Sequence, residues 1–285
     1  MRKIEIQGFF HQMVNAHRRR NQLTRVKVSG RWLTEQSEIK EEVSRVFQGL
    51  LADLGGWKPN IDGLIFERLE EQDVEGLEKS FLEEEVFGAL SSFCEEKASS
   101  LDGFSMAFWQ YSWDFVKVEV MIFFRQFHES GGSVRSLNAT FLVLILKKGE
   151  VEDLKDLRSI SLVGGLYKWL TKVLANRLKG VLAKVISMSQ NAFVEGRQIM
   201  NAMLIANEAI NSILKSNRGT ILCKLDIEKA YDHVDWSFLL AVLEKMGFGE
   251  KWHRWIKWCL STASFSVLVY RTSSRFFQSS RGLRK

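Results

Sequence analysis

The spacing of apolar residues divides the chain into stretches that repeat every three to four positions and stretches that alternate or run continuously. Residues 1–22 read as a helix ending in a basic cluster. Val26-Lys27-Val28-Ser29-Gly30-Arg31-Trp32-Leu33 alternates apolar and polar positions about a Ser-Gly pair, the pattern of a short hairpin. Thr34 is placed to cap a helix with Ile39, Val43, Val46, Phe47, Leu50 and Leu54 on one side, closed by Gly55-Gly56. A connector around Trp57-Lys58-Pro59-Asn60 leads to an acidic stretch without strong periodicity. Ser80-Phe81-Leu82-Glu83 has the capping-box pattern, ahead of a face formed by Leu82, Val86, Leu90 and Phe93. After a loop over 95–103, an aromatic-rich helix is expected from Met106 to Phe127, broken by Gly131-Gly132. The continuous apolar run Thr140–Leu146 predicts a strand closed by Lys147-Lys148-Gly149, with helices over 165–185 and 197–215. Arg218-Gly219 turns the chain into a second expected strand, Thr220–Asp226. Helices over 235–246 and 250–261 and a last strand, Phe265–Tyr270, complete the pattern. Helices interspersed with single strands imply an α+β fold with helices packed on a sheet.

Composition narrows the picture little. Hydrophobic residues make up 46% and charged residues 26% of 285, ordinary values for a globular protein, so disorder is not the default reading. No run approaches the roughly 18 uncharged apolar residues of a membrane span, and no apolar stretch of signal-peptide length follows Met1, so no membrane partner is expected. Cys94, Cys223 and Cys259 form no pair motif, which points to free thiols and a non-secreted, intracellular protein. The net charge is +6 and the pI near 9.2, a mild excess concentrated in His17-Arg18-Arg19-Arg20-Asn21, while residues 67–85 are strongly acidic. Proline is the anomaly. Average usage of about 5% predicts roughly 14, and the chain has only Pro59.

Candidate chemistry gathers in Leu225-Asp226-Ile227-Glu228-Lys229-Ala230-Tyr231-Asp232-His233-Val234. Asp226 falls at the end of the expected second strand, ahead of a helix-like segment. Carboxylates at strand ends hold hard cations such as Mg²⁺, which takes oxygen ligands and keeps several waters. The same carboxylate serves equally well as a plain helix cap. Tyr231 stands where it would sit beside any ligand of such a metal. Lys147 and Arg158, taken alone, are ordinary solvated charges, as are Arg18, Arg19 and Arg20. His233 and His253 are too far from other ligand types for zinc. Trp252, Trp255 and Trp258 share one helix face, the spacing of a packed core rather than a base-stacking platform.

Several segments then match one family in order. Asp226 to Asp232 resembles the first palm motif of reverse transcriptases, Asp-x-x-x-Ala-Phe/Tyr-Asp, in the form found in plant non-LTR (LINE-type) retrotransposons. Leu144-Ile145-Leu146-Lys147-Lys148-Gly149 resembles the family's Leu-Ile-Pro-Lys-Lys-Gly fingers strand, and Arg158-Ser159-Ile160-Ser161-Leu162 resembles Arg-Pro-Ile-Ser-Leu. Lys97 to Gly103 resembles Lys-Ala-Pro-Gly-Pro-Asp-Gly, Ser189 to Gln198 the block between fingers and palm, and Arg281-Gly282-Leu283-Arg284 the opening of the next palm motif. The basic stretch Phe9 to Asn21 is similar to the segment that precedes the polymerase in such elements.

The resemblance implies a right-hand polymerase: an upstream helical segment over 1–79, a fingers-like region over 80–215 and a partial palm over 216–285. It implies RNA template, DNA primer and dNTP as partners and Mg²⁺ as cofactor. Asp226 and the Ile227 carbonyl would be metal ligands. Tyr231 would be the gate whose ring clashes with a ribose 2′-hydroxyl. Lys147 and Arg158 would contact the triphosphate, and Gln190, Gly196 and Arg197 would lie near the template.

The chain departs from the family in two ways. The second acidic pair, needed for two Mg²⁺ ions about 3.5–4 Å apart, does not follow Asp226 before Lys285, so an inactive fragment is expected, with a non-catalytic nucleic-acid-binding remnant as the alternative. Ser99, Leu101, Leu146 and Ser159 replace family prolines and Ser100 replaces a glycine, each reachable by one C-to-T change or its complement. That bias fits a decaying genomic copy; an alignment of its DNA with intact relatives that shows no transition excess removes the support.

Overall fold

The computed structural model describes residues 25–28, 30–53, 55, 60–94, 102–146, 154–216, 221, 223, 225–227, 229–269 and 272–283. The expected helix over 1–22 and its Arg cluster lie outside them.

The hairpin forms as β1 (Val26–Val28) and β2 (Arg31–Leu33), with Val26 opposite Leu33 and Gly30 at φ +84. That left-handed φ is one only glycine adopts without strain. Helix α1 (Gln36–Leu50) follows, with Ile39 and Val43 buried. Its N-cap is Glu35, without a side-chain bond, and not Thr34, because the chain keeps an extended path for one residue more. The helix also stops short of Gly55-Gly56. Its last carbonyls are taken from far along the chain: Arg281 Nε donates to Leu50 O (3.0 Å) and the Ser280 N–H to Leu51 O (2.9 Å).

The acidic stretch contains an unexpected helix, α2 (Glu71–Glu78). Eight residues with only Leu77 buried are too few to display a period. Helix α3 (Glu83–Ser91) has Leu82, not Ser80, at its N-cap, with no side-chain bond, so the expected capping box does not form. Ser80 instead presents its carbonyl to a distant side chain, Arg177, whose Nη2 donates to it at 3.2 Å. The aromatic helix is two, α4 (Met106–Tyr111) and α5 (Trp113–Ser130), divided at Ser112. Gly131, at φ +74, ends α5 with its N–H on Phe127 O at 2.9 Å.

The sheet is built around β3 (Ala139–Leu146). β4 (Leu157–Val163) pairs with it antiparallel, placing Arg158 opposite Ile145, and β5 (Ser264–Val269) pairs with it parallel on the other side. Two short strands, β6 (Thr272–Ser273) and β7 (Phe277–Gln278), pair antiparallel with β5. β4 carries no apolar alternation, since Arg158, Ser159 and Ser161 occupy strand positions, which hides it from a pattern search. Between β4 and β5 run α6 (Gly165–Val185), α7 (Ile199–Ser216), α8 (Trp236–Lys245) and α9 (Glu250–Ser261). A parallel pair requires such a long crossover.

Two cores hold the α+β fold. In the larger, α2, α3, α5, α6 and α9 close around Phe124, Phe127, Trp169, Leu170, Trp252 and Trp255. Burying a phenylalanine contributes about 1.5–3 kcal/mol, and Phe81 bridges Phe124 and Trp255 with ring centroids 5.3 and 5.4 Å away. Trp252 and Trp255 are thus core residues, as their spacing predicts. In the smaller core, Val26, Leu33, Ile39 and Val43 pack with Leu142, Leu157, Phe265 and Val267, so the upstream hairpin and α1 share their interior with the sheet. Among the described residues no helix is long and apolar enough to cross a membrane.

Candidate functional site

Residues 225–236 begin exposed. Leu225 and Ile227 are 87% and 75% accessible, and Asp226 between them is exposed. The expected strand Thr220–Asp226 is not formed at its described residues, which is a correction to the picture of a carboxylate at a strand end. A strand exists through its neighbours, and β3 already has β4 and β5 on its two sides. Lys229, at φ +52, turns the backbone into a short 3-10 turn, Ala230–His233. Asp235 then caps α8, its Oδ1 accepting from the Phe238 N–H at 2.8 Å.

This turn is clasped by the far end of the chain. The Leu283 N–H donates to Tyr231 O at 2.7 Å and the Gly282 N–H to Val234 O at 2.8 Å. Trp236 Nε1 returns a bond to Gly282 O at 2.7 Å. Gly282 sits at φ +82, and a Cβ there would stand 2.8 Å from Asp232 O. A neighbouring cavity of about 510 Å³ is lined by Ser161 of β4, Tyr167 and Lys168 of α6, Trp236, Gly282 and Leu283. A smaller one, about 40 Å³, places Asp232 with Ser159, Ser161 and Leu142. Three separated sequence segments therefore meet: the Arg-Ser-Ile-Ser-Leu strand, the turn bearing Tyr231, and Arg281-Gly282-Leu283.

A fourth segment braces them. Asp102 Oδ1 accepts from the Phe104 N–H at 3.0 Å and Oδ2 from the Gly165 N–H at 3.2 Å. The carboxylate thus caps α6, whose own N-cap residue is Gly164 and provides no side-chain bond. Its negative charge is favourable at a helix N-terminus.

The other expected residues are spread out. Lys147 lies outside the described residues. Arg158 is exposed on β4, and Tyr231 is 43% accessible on its turn. Gln190, Gly196 and Arg197 occupy the loop beyond the C-terminus of α6. There Arg197 donates to the carbonyls of Ser187 (2.5 Å), Gln190 (2.7 Å), Ile186 (2.9 Å) and Ala183 (3.1 Å), fastening the loop to the helix end. Twenty-one residues of α6 separate this loop from the clasped turn, about 30 Å at helical rise. Trp236, Gly282 and Asp102 were not singled out by sequence reasoning. Gly282 and Asp102 lie in motif-like segments, but nothing local shows whose backbone they bind.

Among the described residues no three His, Cys, Asp or Glu side chains gather into a group. Asp226 with the Ile227 carbonyl does not amount to a cage for two dications. Away from this region, the Lys184 ammonium donates to both Asp73 oxygens (2.8 and 2.9 Å), which raises its pKa above the ordinary 10.5.

Comparison with known proteins gives consistent matches. The family of reverse transcriptases (RNA-dependent DNA polymerases) matches residues 145–284. The chain is 28% identical over 217 residues to an uncharacterized 149 kDa protein of transposon TX1 from Xenopus laevis, covering 76% of this chain and 17% of that protein. It is 26% identical over 126 residues to the retrovirus-related Pol polyprotein of the type-1 retrotransposable element R2 of Popillia japonica (44% of this chain, 17% of that one). To the R2 polyprotein of Nasonia vitripennis it is 22% identical over 194 residues (67% and 18%). The chain spans less than a fifth of the length of these curated relatives.

Proposed function

We propose that this chain is the fingers and the opening of the palm of a LINE-type RNA-directed DNA polymerase, since the reverse transcriptase family matches residues 145–284 and its relatives include proteins of retrotransposable elements. In this reading residues 80–215 are the fingers-like region and 216–285 the palm portion, with 1–79 an upstream segment. The observation that supports it best is the clasp, which brings three motif segments separated by some 120 residues of chain (from Arg158 to Leu283) to one place.

The roles follow from chemistry. Arg158 on β4, together with Lys147, serves a triphosphate, whose oxygens favour cationic donors. Tyr231 offers a ring on which a 2′-hydroxyl would clash, selecting deoxynucleotides. Gln190, Gly196 and Arg197 serve the template, with Arg197 acting through the loop it fastens. Asp226 and the Ile227 carbonyl are the Mg²⁺ ligands this stretch contributes. Among the described residues these are too few donors to hold two Mg²⁺ ions.

The shortfall supports a second reading for residues 1–285 alone, a non-catalytic module that binds an RNA–DNA hybrid. The test uses the purified chain. Filter retention of a primed RNA template is measured across a salt series, and primer extension is assayed with Mg²⁺. Retention that falls steeply with salt, by about 0.9 log unit in affinity per log unit of salt for each phosphate neutralised on B-form duplex, is the expected outcome, together with no extension. Extended primer removes the inactive reading, and absent retention at low salt removes both.

A further inference from the structure

The described residues 221, 223, 225–227 and 229 are all exposed, and the turn that follows has four residues. A ring that distinguishes one hydroxyl has to be held within about 0.5 Å of its working place.

We propose that Gly282 and Trp236 are positioning residues for Tyr231, and that sugar selection depends on a glycine 51 places downstream that touches no substrate. Both backbone polar atoms of Gly282 are committed to the turn: its N–H to Val234 O and its carbonyl to the Trp236 indole. The next N–H, of Leu283, holds the Tyr231 carbonyl itself. A Cβ at 282 would come within 2.8 Å of Asp232 O, and the φ of +82 disfavours any side chain. Backbone cannot yield as a flexible side chain does, so a larger residue moves the turn. The inference rests on reading Tyr231 as the sugar gate, and two separate arms keep the two ideas apart.

The chain, with its four tyrosines replaced by 3-fluorotyrosine, is observed by fluorine NMR; Tyr231→Phe identifies the resonance, and far-ultraviolet circular dichroism reports the fold. Gly282→Ala and Trp236→Phe are expected to shift the Tyr231 signal while leaving the dichroism unchanged. Should Gly282→Ala unfold the chain, Trp236→Phe, which removes the indole N–H bond to Gly282 together with part of the ring, decides alone. A Tyr231 signal unmoved in the folded variants overturns the proposal. In the second arm dATP and ATP, each with Mg²⁺, are titrated into the unsubstituted chain. A Tyr231 response to dATP and not to ATP supports the gate. Equal responses, or none, remove the gate and with it the sugar-selection half of the proposal, and leave the clasp to be judged by the variants.

Discussion

Arg177 has its guanidinium in the interior, with the side chain 5% accessible. It makes five hydrogen bonds: two with the Glu85 carboxylate at 2.6 and 2.8 Å, and three with the carbonyls of Leu77, Lys79 and Ser80. Its Cζ also lies 4.2 Å from the centre of the Phe81 ring. One side chain therefore ties α6 to the α2–α3 connection. Removing one partner of such a pair costs about 3–5 kcal/mol, since the remaining charge is left uncompensated. Arg177→Met should lower the unfolding free energy by that amount in a urea titration, and Arg177→Met with Glu85→Leu should recover part of it. Lys184 provides a pH test. Its pKa is raised, so its contribution is fully present below 10.5 and lost as pH rises through the higher folded value. Lys184→Met should be less stable than the parent at neutral pH, and the difference should fade in alkaline titration above pH 10.5.

At the scale of elements, helix ends are finished by distant carboxylates. Asp102 caps α6, and Glu78 Oε1 accepts from the Trp252 N–H at 2.8 Å in the first turn of α9. Asp102→Ala should cost about 0.5–2 kcal/mol, the range for losing a cap, and hydrogen exchange should quicken first at the start of α6. The same arrangement explains what the chain's pattern concealed. Where packing repeats along one element, as in α6 or in Trp252 and Trp255 of α9, the period was visible and the element is found where expected. Where contacts come from elsewhere, local rules failed: Ser80 matched a capping box, yet Leu82 takes the N-cap and the Ser80 carbonyl is bound by Arg177. The apolar run over 220–226 looked like a strand, but the described residues carry no ladder there. The motif-bearing segments were readable, while the bonds joining Gly282 to the Tyr231 turn were not, because no local pattern encodes a contact 50 residues away.

For the whole molecule, the two cores are unequal in their cover. α7 has no buried residue, and Ile199, Met200, Met203, Leu204, Ile205 and Leu214 are all exposed on it. Exposed apolar surface of this kind promotes association. Replacing Met203 and Ile205 by lysine should raise the soluble concentration of the chain and lower its light scattering, with little change in unfolding midpoint. Little change is expected because neither side chain joins a core.

Helix α6 is also a gauge. The residues proposed to meet the template hang from its far end, and the Tyr231 turn lies beside its first two turns, about 30 Å away. An RNA–DNA hybrid is A-like and rises less per step than the 3.4 Å of B-form DNA, so that length spans more than about nine base pairs of hybrid. A hydroxyl-radical footprint on a bound hybrid should show two protected edges separated by at least that many steps, with a spacing set by the count of residues in one rod and indifferent to sequence.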